Sequence, residues 1–158
     1  MERTEEGSRG DSRFGCEAVA VIPTGKKPAL SCMVCFGTGE KKICYCSADR
    51  YMDLQAAVTG NDNRACRRMF RGRRGTGLLL NDGRAYLQVK LREEAPCLGY
   101  ILLPALEEIS SGKDGKCRLL VNGMYLDTCW TRETLIRHLF MVLDTFPVRV
   151  SCSLHLVS

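Results

Sequence analysis

Ten cysteines in a chain of 158 residues constrain this protein more than any other feature of its sequence. Thiols need a reason to be so numerous. Disulfides explain them in oxidising compartments and are rare in reducing ones. The N-terminus, MERTEEGSRGDSRFG, has no apolar core of the kind a secretory signal carries. The apolar runs at 78–80 and 100–103 are far too short to cross a bilayer. The expectation is a soluble intracellular chain. Its cysteines then serve as metal ligands, buried thiols or reactive groups.

Zinc takes thiolate or imidazole ligands in a tetrahedron. Cys32 and Cys35 form a CxxC pair followed by the Gly-bearing segment FGTGEKK, and Cys16 lies upstream with fifteen residues between it and Cys32. These three are candidate ligands. The fourth is open. Cys44 and Cys46, in CYCS, would complete a local site, and Cys117 would complete a remote one. Cys66, Cys97, Cys129 and Cys152 read as core thiols, because free cysteine packs as a small hydrophobe. A zinc ion (Zn2+) held by four thiolates has no open position for water, so its role would be structural.

Residues 1–15 are polar, mixed in charge and rich in Gly and Ser, which predicts a disordered tail. One domain, 16–158, should follow. CEAVAVI alternates into an apolar run and predicts a strand over 16–22, turned by Pro23-Thr24-Gly25. A short strand over 29–31 leads into the CxxC. Ser47 can cap a helix over 48–58, with Asp49 near its positive end. Gly60-Asn61-Asp62-Asn63 stops it. Segments 76–80 and 85–91 flank Asn81-Asp82-Gly83 as a hairpin. Another strand is expected over 98–103. Asn122-Gly123 is a preferred two-residue turn between strands at 117–121 and 124–127. Thr131 caps TRETLIRHLFMVLD, whose Leu135, Ile136, Leu139, Phe140 and Leu143 make an apolar stripe at helical spacing. Phe146-Pro147 ends that helix. Val148, Val150, Cys152, Leu154 and Leu156 alternate with polar residues and predict a last strand. There are no internal repeats. The expected class is α+β, with a mixed or antiparallel sheet, two or three helices and one structural zinc site.

The net charge is +5 and unevenly spread. Residues 64–74 (RACRRMFRGRR) hold Arg64, Arg67, Arg68, Arg71, Arg73 and Arg74 and no acid. Such a segment suits an acidic protein partner, anionic lipid or nucleic acid, or serves as a solvated basic turn. Catalysis is not expected. His138 and His155 belong to no Cys/His or HExxH arrangement. Gly72, Gly75 and Gly77 lack the GK[ST] of a phosphate loop.

The order of Cys16, Cys32 and Cys35, a Ser-capped helix, and later GKCRLLVNG and ETLIRHLF resembles the zinc-binding core of the herpesvirus nuclear egress lamina proteins. The resemblance covers roughly 16–158. It implies Cys16, Cys32, Cys35 and Cys117 as zinc ligands. It also implies a membrane-anchored egress partner at the inner nuclear membrane of the host, and a budding coat that moves capsids out of the nucleus. In that family a helical partner-binding hook precedes the first zinc cysteine; here only fifteen residues do. A second resemblance, in CYCS and the Leu54-Gln55 pair, is to the adenovirus early-region-four thirty-four-kilodalton protein. That likeness implies a substrate adaptor for a cullin ubiquitin ligase. The stretch 134–143 is similar to an elongin-binding box with Leu in place of its usual Cys, although the same stripe reads first as a core helix. The expectation is thus a non-enzymatic viral protein that works by binding partners in the host nucleus. The alternatives are a ubiquitin-ligase adaptor or a basic nucleic-acid-binding regulator.

Overall fold

Apolar alternation in this chain is organised into two antiparallel-rich sheets. The structure, a computed structural model, describes residues 13–59, 77–80, 82–145 and 155–156. Among these are ten strands and two α-helices: β1 (Ala18–Pro23), β2 (Cys32–Phe36), β3 (Lys41–Cys44), α1 (Ala48–Val58), β4 (Gly77–Leu79), β5 (Ala85–Lys90), β6 (Leu98–Leu102), β7 (Leu106–Ser111), β8 (Cys117–Val121), β9 (Met124–Asp127), α2 (Arg132–Thr145) and β10 (His155–Leu156). The class is α+β, as the sequence predicts. One sheet has the order β3-β2-β1-β6-β5-β4 and the other β10-β7-β8-β9. All pairs are antiparallel except β10 with β7.

The first sheet carries α1 on one face. Tyr100 of β6 donates a hydrogen bond to the Asp49 carboxylate of α1, and Gln88 of β5 donates to the Tyr100 hydroxyl at 3.0 Å. Tyr86, fully buried, donates to the Ala18 carbonyl at 2.8 Å, so a phenol in the core is not left without an acceptor. The opposite face meets the second sheet and α2. The Asn122 side-chain amide donates to the Gly37 carbonyl at 3.1 Å, and the Cys129 amide to the Lys90 carbonyl at 2.8 Å. Leu87, Ile101, Leu106, Ile109, Leu119, Leu135 and Val142 are among the side chains removed from water. β6 passes into β7 through the short 3-10 turn Leu103–Ala105, so one run of chain serves both sheets.

The N-capped helix is where the sequence puts it. The Ser47 hydroxyl accepts from the Arg50 amide at 3.0 Å, and α1 spans Ala48–Val58. Thr131 caps α2 in the same way, accepting from the Thr134 amide at 3.2 Å. The 122–123 turn has positive φ at both residues, 49° and 82°, as a turn matching strand twist requires.

Several expectations change. The first strand begins at Ala18, and Cys16 sits in the turn before it. Packing nevertheless starts earlier, because Phe14 is buried close to Gly37. The second strand is Cys32–Phe36, not 29–31: the chain turns at 26–29 around Pro28, and the apolar run Met33, Val34, Phe36 then extends. Part of the FGTGEKK segment is strand, since Lys41 and Lys42 open β3. β7 was not expected at all; Glu107 and Glu108 interrupt its apolar pattern. Residues 1–12, the arginine segment 64–74 and most of the last expected strand lie outside the described residues.

Candidate thiol centre and hairpin edge

The cysteines are sorted by strand parity. Successive side chains on a strand point to opposite faces, so residues three apart diverge. Cys32 and Cys35 both lie on β2 and therefore face opposite ways. Cys32 lies in register with Cys44 of β3, and Cys46 follows two residues later in the bend after the strand. Cys46 is near enough to Cys32 to act on its thiol. Burial first, then the nearness of Cys46 and Cys44, pushes the Cys32 thiol up to about 12. The Tyr51 hydroxyl of α1 is raised first by burial and then by Cys44 and Cys32, which places it beside the same sulfurs. Cys32, Cys44 and Cys46 thus form one thiol cluster between the β2–β3 hairpin and the start of α1.

The other predicted ligands are elsewhere. Cys35 is buried on the far face, where it lines a cleft of about 330 Å3 with Asn122, Gly123 and Met124 of the second sheet. Burial raises its thiol, and Lys41 partly offsets this. Cys117 is buried in β8, its Sγ 3.2 Å from the Thr128 hydroxyl. Its thiol is raised by burial, against which the Thr128 hydrogen bond acts. Cys16 is exposed in its turn. The set Cys16, Cys32, Cys35 and Cys117 is therefore not brought together, because β2 sends two of its members to opposite faces. Those four residues do not fit one zinc ion in this fold. Among the described residues, no three His, Cys, Asp or Glu side chains are already arranged to hold a metal ion. Cys97 and Cys129, expected in the core, are only partly buried in connecting segments, and Cys129 contacts Glu93. Cys66 and Cys152 lie outside the described residues, as do Arg64, Arg67, Arg68, Arg71, Arg73 and Arg74.

A second feature of the same hairpin is its outer rim. β3 ends the sheet order, so among the described residues it pairs with β2 alone. In register across the face opposite Cys32 run Ile22, Met33 and Ile43. Ile22 and Met33 are half-buried, and Ile43 is 45% exposed. Beyond it Tyr45 is 88% exposed. Lys41 and Lys42 on the same edge are exposed too. Next to this edge, Pro28, Leu30, Ser31, Tyr45, Ser47 and Arg50 line an open cleft of about 640 Å3. An open strand edge offers backbone donors and acceptors to another extended chain. The sequence carries a trace of this arrangement: in Ile43-Cys44-Tyr45-Cys46 the thiols and the large side chains alternate, the period of a strand with two different faces.

The remaining candidates are structural. His138 stacks on Trp130 with ring centroids 4.3 Å apart. In the elongin-like stretch, Leu135 and Leu139 are buried and Phe140 is exposed. Its leucine stripe faces the core. No helix of the described residues is long and apolar enough to cross a membrane. No family model, curated protein or solved structure matches the chain.

Proposed function

We propose that this chain is a non-enzymatic interaction protein that docks an extended, acidic segment of a protein partner along the open edge of β3. The observation that carries this is the edge itself: among the described residues β3 has a strand neighbour on one side only, and Ile43 and Tyr45 stand in solvent beside Lys41 and Lys42. A strand added there would gain main-chain hydrogen bonds, with alternate side chains meeting Ile43 and Tyr45. Its carboxylates would meet the two lysines and Arg50, which favours an acidic partner over a second copy of this positively charged chain. The setting follows from the resemblance to the nuclear egress lamina proteins. The partner would be a membrane-anchored egress protein, and the place of action the inner nuclear membrane of the host. No catalytic role is part of this reading. The arginines at 64–74 would add attraction for the same acidic partner.

Co-expression with the membrane-anchored egress protein of the same source tests the proposal. The wild-type chain should move to the nuclear rim. Tyr45→Asp and Ile43→Asp should weaken association at least about tenfold, because exposed aromatic and aliphatic anchors carry most binding energy. Their melting temperatures should stay within a few degrees of wild type, since neither side chain is in the core. Diffuse localisation of the wild type, or variants that bind as well as it does, would overturn the reading.

A further inference from the structure

We propose that Cys32 of β2 and Cys44 of β3 are a redox pair, which a hydroperoxide oxidises to a cross-strand disulfide that fastens β3 to its neighbour. The backbone register carries this, and it stands independently of the docking reading. Cys32 and Cys44 are direct partners at the open end of the hairpin. Residues directly across from each other share one face of a sheet. The kind of pair follows from the hydrogen bonds. At the turn, the Phe36 amide donates to the Glu40 carbonyl at 2.9 Å. Hydrogen-bonded pairs alternate with open ones along antiparallel strands. Counting from Phe36 and Glu40, the pairs Val34–Lys42 and Cys32–Cys44 are of the hydrogen-bonded kind. The other side of β2 agrees. There the Thr24 amide donates to the Ser31 carbonyl at 3.1 Å, and Cys32 lies across from Pro23, which has no N–H to give. The Cys32 amide and carbonyl therefore turn towards β3. A hydrogen-bonded pair holds its Cα atoms about 5.5 Å apart, and disulfides most often join Cα atoms about 5.5–6 Å apart. The other two thiols of the hairpin region lack this placement: Cys35 lies across from Lys41, and Cys46 lies beyond the last paired residue of β3.

Exposure assigns the order of events. Cys32 is buried and Cys44 only partly so, and the oxidant therefore meets Cys44 first. The Cys44 sulfur attacks the O–O bond of the hydroperoxide, which breaks. One oxygen stays on sulfur as a sulfenic acid, and the other leaves as an alcohol, or as water when the oxidant is hydrogen peroxide. The Cys32 sulfur then attacks the Cys44 sulfur. The S–O bond breaks, and the Cys32 proton leaves with the hydroxide as water. Two thiols have lost two hydrogens, and one peroxide has been reduced. A reducing thiol such as glutathione reverses the bond by exchange. Among the described residues β3 pairs with β2 alone, so a covalent link at its last residue stops that end of the strand from fraying. It also fixes the point from which the chain bends towards the Ser47 cap of α1.

The test treats the reduced full chain, at low concentration, with hydrogen peroxide and maps its disulfides by tandem mass spectrometry. The expected result is an intramolecular bond between Cys32 and Cys44 that glutathione removes. The oxidised chain should melt about 5–10 °C above the reduced one, because the bond closes a loop of the unfolded chain. Cys44→Ser should form no such bond and show no rise on peroxide treatment. Cys46→Ser and Cys35→Ser should keep both the bond and the rise. Cys32→Ser alters a buried position and is the variant most exposed to misfolding, so the partly buried Cys44 carries the test. A bond that maps to Cys46 or Cys35, or one that persists in Cys44→Ser, would overturn the proposal. So would a wild-type chain in which Cys32 stays a free thiol after Cys44 has been oxidised, or an oxidised chain that melts where the reduced one does. No partner takes part in these measurements, so failure of the docking experiment leaves their result unaffected.

Discussion

Leu135→Ala should lower the free energy of unfolding by about 2–5 kcal/mol, the range for removing a buried leucine side chain and leaving a cavity. Leu135 has no exposed surface in the second turn of α2, and Leu139 and Val142 continue the same buried face. Urea unfolding should show the loss as a lower midpoint at unchanged slope. Melting should fall by roughly 5–15 °C for a domain of this size. The result also separates two readings of one stripe. If 134–143 were an elongin-binding face, the substitution would abolish capture of elongins and leave stability near wild type. Burial of the stripe predicts the reverse: a destabilised protein.

Gly99→Ala should cost about 3 kcal/mol, at the upper end of the usual range for overpacking. The reason is not backbone conformation. Gly99 lies in β6, where a Cβ would stand 2.5 Å from the Val21 carbonyl oxygen and 2.5 Å from the Leu91 side chain. Leu91 could move, but the carbonyl belongs to β1, the next strand of the sheet. The β1–β6 contact would have to open. Hydrogen exchange should accordingly speed up at Ala20, Val21, Tyr100 and Ile101, which pair across it, more than at the amides of β8. Equal effects in both sheets would show that the clash is relieved in some other way.

Local signals in the sequence located the elements whose chemistry is local. Ser47 and Thr131 cap helices because a hydroxyl can accept from an amide three residues on, and nothing distant is needed. Asn122-Gly123 forms its turn for the same kind of reason. β3 and β7 were harder to see. β3 opens with two exposed lysines and β7 contains two adjacent glutamates, so neither shows a continuous apolar period; partners on the neighbouring strands hold them in place. The thiol cluster was half legible. Spacing names Cys32 and offers Cys44 and Cys46 as one completion, but it also groups Cys35 with Cys32, and both lie on β2. Once Met33 and Val34 extend the backbone, Cys35 must leave Cys32's side of the sheet. That parity is a property of the strand, and no count of residues between cysteines contains it.

The run of chain from β6 into β7 has a mechanical consequence. Both strands are interior to their sheets, and only Leu103–Ala105 separates them. Neither sheet can come apart by peeling from its rim without pulling on a strand buried in the other. The molecule should therefore melt as one cooperative unit, and tension or loosening applied at β8 and β9 would be felt at the hairpin that bears the thiols.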